Sequence, residues 1–227
     1  MPRTSSRYDA HAEWYDSWNR ASATRNASDV LAVLGPGAGL CLDLGCGSGL
    51  YFDVLAATGR TVVGLDGSAG QLRIARERSR QIVQGDAASL PFADCTFPAV
   101  ATLWISTDVD DFAAVLAEAR RVLAPGGLLV FFGAHPCFNG PHSQLMDDGG
   151  ILAHPIYRLA GWHQEAPWWG ANIRRRVGIR HHTLAGLLNA FISTGLVIEH
   201  VAEPGDRPLP VSLAIRARKP AATASRA

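Results

Sequence analysis

Along residues 40–132 the apolar positions fall into two alternating periods. Short apolar-centred runs recur at 40–44, 61–65, 81–84, 97–103 and 128–132, most of them bounded by glycine or an acid. Runs of that length suit strands buried on both faces. Between them, at 50–58, 69–79 and 111–123, apolar residues return three and four apart, the spacing of a helix with one buried face. Gly59 ends the first of these helices and Pro125-Gly126-Gly127 follows the last. Pro98 stands at the start of its strand, where a missing N–H is tolerated. Strands alternating with helices predict an α/β fold, a parallel sheet covered on both faces.

The flanks read differently. Residues 7–20 place Tyr8, His11, Ala12, Trp14, Tyr15 and Trp18 at roughly helical spacing. A second short helix over 28–34 is stopped by GPGAG, so residues 1–34 read as two cap helices. After residue 132 the pattern breaks. Residues 133–180 are rich in glycine and proline and too long for an ordinary connection, which predicts a functional insertion after the fifth strand. A helix over 183–194 and strands over 196–201 and 211–215, joined by EPGDRPLP, close the pattern. There is no internal repeat. The expected organisation is one domain over 1–217 with a disordered tail at 218–227.

Composition narrows the function. The 227 residues are 48% hydrophobic and 18% charged, which excludes a disordered chain. A formal net charge of +1 gives no global field for nucleic acid or an anionic membrane. No apolar run approaches the ~20 residues of a membrane helix. The basic start turns polar at once, without the apolar stretch of a secretory signal. Four scattered cysteines, Cys41, Cys46, Cys95 and Cys137, read as reduced thiols, so a cytoplasmic location is expected.

The chemistry concentrates at three strand ends. The first strand runs into Asp43-Leu44-Gly45-Cys46-Gly47-Ser48-Gly49. Glycines between a strand and a helix let a ligand approach the backbone. The spacing is G-x-G-x-G, not the G-x-G-x-x-G of dinucleotide sites. The acid two positions before the first glycine would repel a pyrophosphate and suits a cationic amine, such as that of S-adenosylmethionine; a plain tight turn is the alternative. Asp66, ending the second strand, can accept from both ribose hydroxyls, or else cap the next helix, a task open to Ser68. Asp86 after the third strand can accept an adenine amine while the Ala87 N–H meets a ring nitrogen; a turn aspartate is the alternative. Agreement of three strand ends in order is stronger than any one of them, because open α/β sheets bind ligands at that edge.

DLGCGSG, VVGLDGS, GDAASLPF and LAEARRVLAPGG together resemble the successive motifs of class I S-adenosylmethionine-dependent methyltransferases, in particular the methyltransferase type 11 small-molecule family. The resemblance implies a Rossmann-like seven-stranded sheet whose last strand is antiparallel. It implies S-adenosylmethionine as cofactor and S-adenosylhomocysteine as product. The implied cofactor positions are Asp43, Gly45, Cys46, Gly47, Asp66, Gly67, Asp86 and Ala87, with Leu103 alongside. Tyr15, within RYDAHAEWYDSW, would close over the cofactor, an aromatic face near a sulfonium. Gln71 is a further candidate cofactor position, standing where the family often has Met or Ile. The stretch after the fourth strand, Leu103 to Asp108, lacks the Asn/Asp-Pro-Pro-aromatic motif of base-methylating enzymes, which argues against a nucleic-acid amino group as acceptor.

Six of the eight histidines, His135, His142, His154, His163, His181 and His182, lie in or beside the insertion, with Trp162, Trp168 and Trp169. Aromatics with a few polar groups are what a small-molecule pocket uses. His135, just past the fifth strand, and His182, opening the returning helix, are the candidate general bases, each of them otherwise a satisfied core or surface residue. Trp104, Ser106, His135 and His182 are the candidate substrate residues. His135, Cys137 and His142 do not have a metal-ligand spacing, so no metal is expected. The run Arg174-Arg175-Arg176 is either a solvated face or a holder of an anionic substrate. The expected function is methyl transfer to a small molecule, to oxygen or nitrogen in preference to carbon, by in-line displacement. The alternatives are methylation of RNA or protein and a cofactor-binding module without transfer. No nucleic-acid or membrane partner is expected, and nothing in the sequence sets the oligomeric state.

Overall fold

The computed structural model of the chain describes residues 6–79, 81–169 and 173–221. Seven strands form the main sheet: β1 (Leu40–Leu44), β2 (Thr61–Asp66), β3 (Ile82–Gln84), β4 (Phe97–Leu103), β5 (Leu123–Ala134), β10 (Val197–Ala202) and β11 (Ser212–Arg218). Their spatial order is β10-β11-β5-β4-β1-β2-β3. β1 to β5 pair in parallel, and β11 is antiparallel to both of its neighbours. The chain reverses its direction of travel between β1 and β4, so a crevice opens beyond their carboxyl ends.

Side chains alternate across the sheet. Leu129 and Phe131 of β5 face one layer, made by α4 (Phe112–Val122) and α6 (Leu184–Ser193) through Phe112, Leu116, Leu187 and Phe191. Val130 and Phe132 face the other, made by α1 (Ala12–Leu34) and α2 (Phe52–Ala56) through Val30, Val33, Leu34 and Leu55. The third helix on the motif side, α3 (Ala69–Ala75), is capped by Ser68, whose Oγ accepts from Gln71 N–H at 3.1 Å. Asp111 and Thr183 cap α4 and α6 in the same way, which gives Thr183 its structural role.

Three expectations are corrected. The two cap helices are one continuous α1, entered by a tight turn at Asp9–His11. Residues 21–27 contain no glycine or proline, so nothing breaks the helix between the two apolar stretches, and Ala23 is buried. The sheet reaches further than the apolar runs. β5 starts at Leu123, and β11 continues to Arg218, past the start expected for the tail. Arg218 is held by Glu199 and the Gly126 carbonyl, and Lys219 N–H donates to Gly127 O at 3.0 Å. The rest of the expected tail, residues 222–227, lies outside the described residues. The insertion carries two small hairpins, β6 (Ser143–Leu145) with β7 (Ile151–Ala153) and β8 (Gly161–His163) with β9 (Ile179–His181), and one short helix, α5 (Ile173–Val177).

Candidate active site

The glycine loop after β1 is built by backbone geometry. Gly45 and Gly47 have φ of 79° and 53°, the left-handed region that side chains resist. A Cβ at Gly45 would also lie 2.6 Å from Ile105. The loop is tied to the end of β2: Gly45 and Cys46 N–H donate to Leu65 O, and Gly47 N–H donates to Asp66 Oδ2 at 2.8 Å. Asp66 Oδ1 accepts from Ser68 N–H at 2.8 Å. Burial raises the Asp66 pKa, and those two backbone donors oppose the rise.

The cap segment closes over this loop through two acids. Asp9 accepts from Ser68 Oγ at 2.6 Å and Gly70 N–H at 3.0 Å. Asp16 accepts from Ser48 Oγ at 2.6 Å and from both terminal nitrogens of Arg78 at 2.7 and 3.0 Å; Arg78 also donates to the Ser48 carbonyl. Tyr8 and Tyr15 meet edge to face at 5.1 Å.

Beneath this cover lies a cavity of about 700 Å³. Of the sequence candidates, Tyr15, Gly45, Gly47, Asp66, Gly67, Gln71, Asp86, Ala87 and Leu103 line it, together with Trp104. Asp43 and Cys46 do not. Asp43 is only 1% exposed, its Oδ2 has no hydrogen-bond partner, and burial with the Asp66 charge pushes its pKa up to about 7. Cys46 turns its thiol away, into the cluster with Phe52, Leu72 and Ala75, and burial raises its pKa. Ser6, Tyr8, Asp9 and Asp108 also line the cavity, beyond the residues the sequence motifs point to.

A second cavity, of about 600 Å³, adjoins the first. The two share Tyr8, Tyr15, Trp104 and Asp108 as a common wall. Trp104 holds a left-handed backbone, φ 66°, and its indole N–H donates to Tyr51 Oη at 3.1 Å. Asp108 accepts from Tyr8 Oη at 2.9 Å and pairs with Arg174 at 2.8 Å; Arg174 also donates to Thr107 Oγ1 at 2.8 Å. Otherwise the second cavity is walled mostly by α1, through Trp18, Asn19, Ser22 and Asn26, and by the segment at 204–211. Among the described residues the insertion contributes Asn139, Ile173 and Arg174 to it.

The two candidate histidines stand apart from both large cavities. His135 lines neither large cavity. Its Nδ1 accepts from Cys137 N–H at 3.1 Å, so the ring proton sits on Nε2, which faces Glu203 Oε1 at 2.8 Å. His182 donates Nε2–H to the Ser106 carbonyl at 2.9 Å, and burial lowers its pKa. His182 and Ser106 line only a cleft of about 10 Å³, room for a single water at most. Of the four substrate candidates Trp104 alone reaches the second cavity. The missed residues left weak signals: Asp108 is the first acid after β4, and Arg174 was masked by its neighbours in the arginine run.

An open doubly wound sheet with a left-handed glycine loop at its switch point and a capped cavity beyond it defines a nucleoside-cofactor-binding α/β enzyme. Residues 42–131 match the methyltransferase domain family. The chain is 33% identical over 176 residues to a demethylmenaquinone methyltransferase of Thermobifida fusca (strain YX), covering 71% of this chain and 68% of that one. It is 38% identical over 151 residues to a ubiquinone/menaquinone biosynthesis C-methyltransferase of Desulfotalea psychrophila, covering 60% and 59%. The chain thus spans between about half and two thirds of such relatives' lengths. A solved S-adenosylmethionine-dependent methyltransferase from Mesorhizobium loti superposes with a TM-score of 0.67 at 25% identity, over 85% of this chain and 95% of that one. The chain belongs to the S-adenosylmethionine-dependent methyltransferases, and S-adenosylmethionine is its cofactor. The residues present fit that cofactor: the loop glycines leave room at the backbone, acids replace a phosphate cradle, and the buried Gln71 amide in the cavity wall has no partner. Among the described residues no helix is long and apolar enough to cross a membrane, and no three metal-ligating side chains cluster.

Proposed function

We propose that this protein transfers a methyl group from S-adenosylmethionine to a small aromatic acceptor that enters the second cavity. The observation that carries this reading is the wall of Tyr8, Tyr15, Trp104 and Asp108, common to both cavities. Bound there, the cofactor supplies a methyl already activated on a sulfonium. The protein's task is then alignment, and holding reactants at ~3–3.5 Å in line is worth ~7–11 kcal/mol of a barrier. Asp66 and the glycine loop hold the donor. Tyr8, Tyr15 and Trp104 exclude water and give an aromatic acceptor faces to pack on. Asp108, fixed by Arg174 and Tyr8, orients a hydroxyl of the acceptor. The cap helix and the insertion act with the sheet as one methyltransferase unit.

The acceptor atom follows from different support. Residue chemistry alone favours oxygen or nitrogen. The names of the relatives favour a carbon of a quinone; a sulfonium methyl needs an electron-rich partner, so the reduced, hydroquinone form is the acceptor to test, and it needs orientation more than a base. The test is incubation of the protein with methyl-labelled S-adenosylmethionine and a panel of short-chain naphthohydroquinones, phenols and aromatic amines. Labelled naphthohydroquinone carrying the methyl on carbon supports the reading. Label on a phenol oxygen or an amine alone restores the heteroatom reading. Cofactor binding with no S-adenosylhomocysteine formed on any acceptor favours a binding module instead.

A further inference from the structure

α1 passes the second cavity with one regular stripe. Tyr15, Asn19, Ser22, Asn26 and Asp29 follow one another four and three residues apart, and all of them line the cavity. All are half-buried, whereas Ala23, Val30 and Leu34 on the adjacent face pack into the core. A half-buried helical stripe at this spacing is ordinarily apolar. Beyond Tyr15 this one is polar throughout, and from Asn19 to Asp29 it extends about 15 Å along the helix axis. Two amides on the wall already use a nitrogen within the protein: Asn19 Nδ2 donates to Tyr15 Oη and Asn139 Nδ2 to Val211 O, each at 3.0 Å. Their oxygens, with the carboxylates of Asp29 and Asp206, call for donors, while Arg25 and Arg207 in the same lining call for acceptors.

We propose that the acceptor is an aromatic ring bearing hydroxyl groups on the side away from the transferred methyl, and that Asn19 and Ser22 select it against an acceptor with a long apolar chain. The proposal deepens the reading of this cavity as the acceptor site and rests on it. The ring packs at Tyr8, Tyr15 and Trp104, and its substituent lies along the polar part of α1. An apolar chain laid there would strip water from amides and charged groups and return no hydrogen bond. A hydroxyl both donates and accepts, so it meets either kind of group on the wall.

The test uses the full chain saturated with S-adenosylhomocysteine and two naphthols matched in shape, one carrying a hydroxypropyl and the other a butyl substituent. Calorimetry gives the Kd of each for the unsubstituted protein, Ser22→Leu and Asn19→Leu; leucine is a strong helix former, so α1 is kept. The hydroxypropyl compound is expected to bind the unsubstituted protein about tenfold more tightly, the effect of one hydrogen bond. Each substitution is expected to narrow or reverse that preference, and a change in one variant alone assigns the selection to that residue. Equal or tighter binding of the butyl compound to the unsubstituted protein would overturn the proposal, as would a preference kept in both variants or binding of neither naphthol. The expected preference without methyl transfer from S-adenosylmethionine to any acceptor would overturn the proposed activity instead and leave the selection by α1 standing.

Discussion

Arg174, from the short helix in the insertion, meets Asp108 at 2.8 Å on the wall between the two cavities. The contact spans 66 residues of sequence and joins the insertion after β5 to the loop after β4. Both side chains are less than a fifth exposed, 18% and 19%, so the pair is largely shielded from water. Tyr8 Oη donates to the same carboxylate oxygen, which brings the cap segment into the same junction.

Breaking this pair from one side should cost more than removing both partners. Arg174→Met leaves Asp108 half-desolvated with only Tyr8 and Thr107 to hold it. A loss of about 1–3 kcal/mol is expected, below the ~3–5 kcal/mol of a fully buried pair. Arg174→Met with Asp108→Asn should recover part of it. Denaturant unfolding of both singles and the double decides this, and strictly additive losses would show that the two groups are not coupled.

Asp66→Ala should raise the Kd for S-adenosylhomocysteine by about 10–100-fold. Hydrogen bonds to a charged group contribute ~1.5–3 kcal/mol, and Asp66 also holds the Gly47 N–H that shapes the loop. Titration calorimetry reads this directly, and an unchanged Kd would reduce Asp66 to a stabiliser of its own turn.

Two aspartates should give stability opposite pH dependences in the absence of cofactor. Burial would raise Asp16, but hydrogen bonds from Arg78, Ser48 and Arg20 outweigh it and hold its pKa down to about 2. A depressed folded pKa contributes stability above the unfolded value, lost as pH falls through the folded one. Asp16→Asn should therefore cost about 2 kcal/mol at pH 7, with the gap closing between about pH 4 and pH 2. Asp43 is the reverse case, raised to about 7 by burial and then by Asp66. Its contribution is full below the unfolded pKa and lost as pH rises through about 7. Asp43→Asn should be more stable than the unsubstituted protein at pH 8, by on the order of 2–4 kcal/mol, and lose that advantage toward pH 4. Thermal midpoints across pH check both signs.

His135→Ala should lower the thermal midpoint and leave the pH profile of turnover intact. Its ring nitrogens face Glu203 and the Cys137 N–H, not a cavity, so about 1–3 kcal/mol of stability is at stake. A fall in kcat of ~10²–10⁴-fold with loss of an ionisation would restore it as a base.

Exchanging residues 204–211 for the corresponding segment of a related methyltransferase should change acceptor choice and keep the affinity for S-adenosylhomocysteine. This segment and α1 wall the second cavity more than the insertion does. Retained acceptor preference in a folded chimera would return specificity to residues 133–180.

What the chain's linear pattern determined was whatever depends on near neighbours. Short apolar runs set β1, β2 and β4, the first of them bounded by glycine on both sides, and the helices between them make parallel pairing the economical topology. Asp66, Asp86 and the loop glycines were legible because a strand end fixes where its next residues stand. The tertiary structure decided what depends on distant residues meeting. Tyr8, Asp108 and Arg174 are far apart in sequence and share one carboxylate only because the cap and the insertion fold back over the same sheet edge. The surroundings of the histidines were decided in the same way: nearness to a strand end says nothing about which way a ring points, and His135 faces Glu203 and the Cys137 N–H while His182 faces the Ser106 carbonyl. The orphaned amide of Gln71 also belongs to the folded state, since only packing shows that a polar group has been buried without a partner.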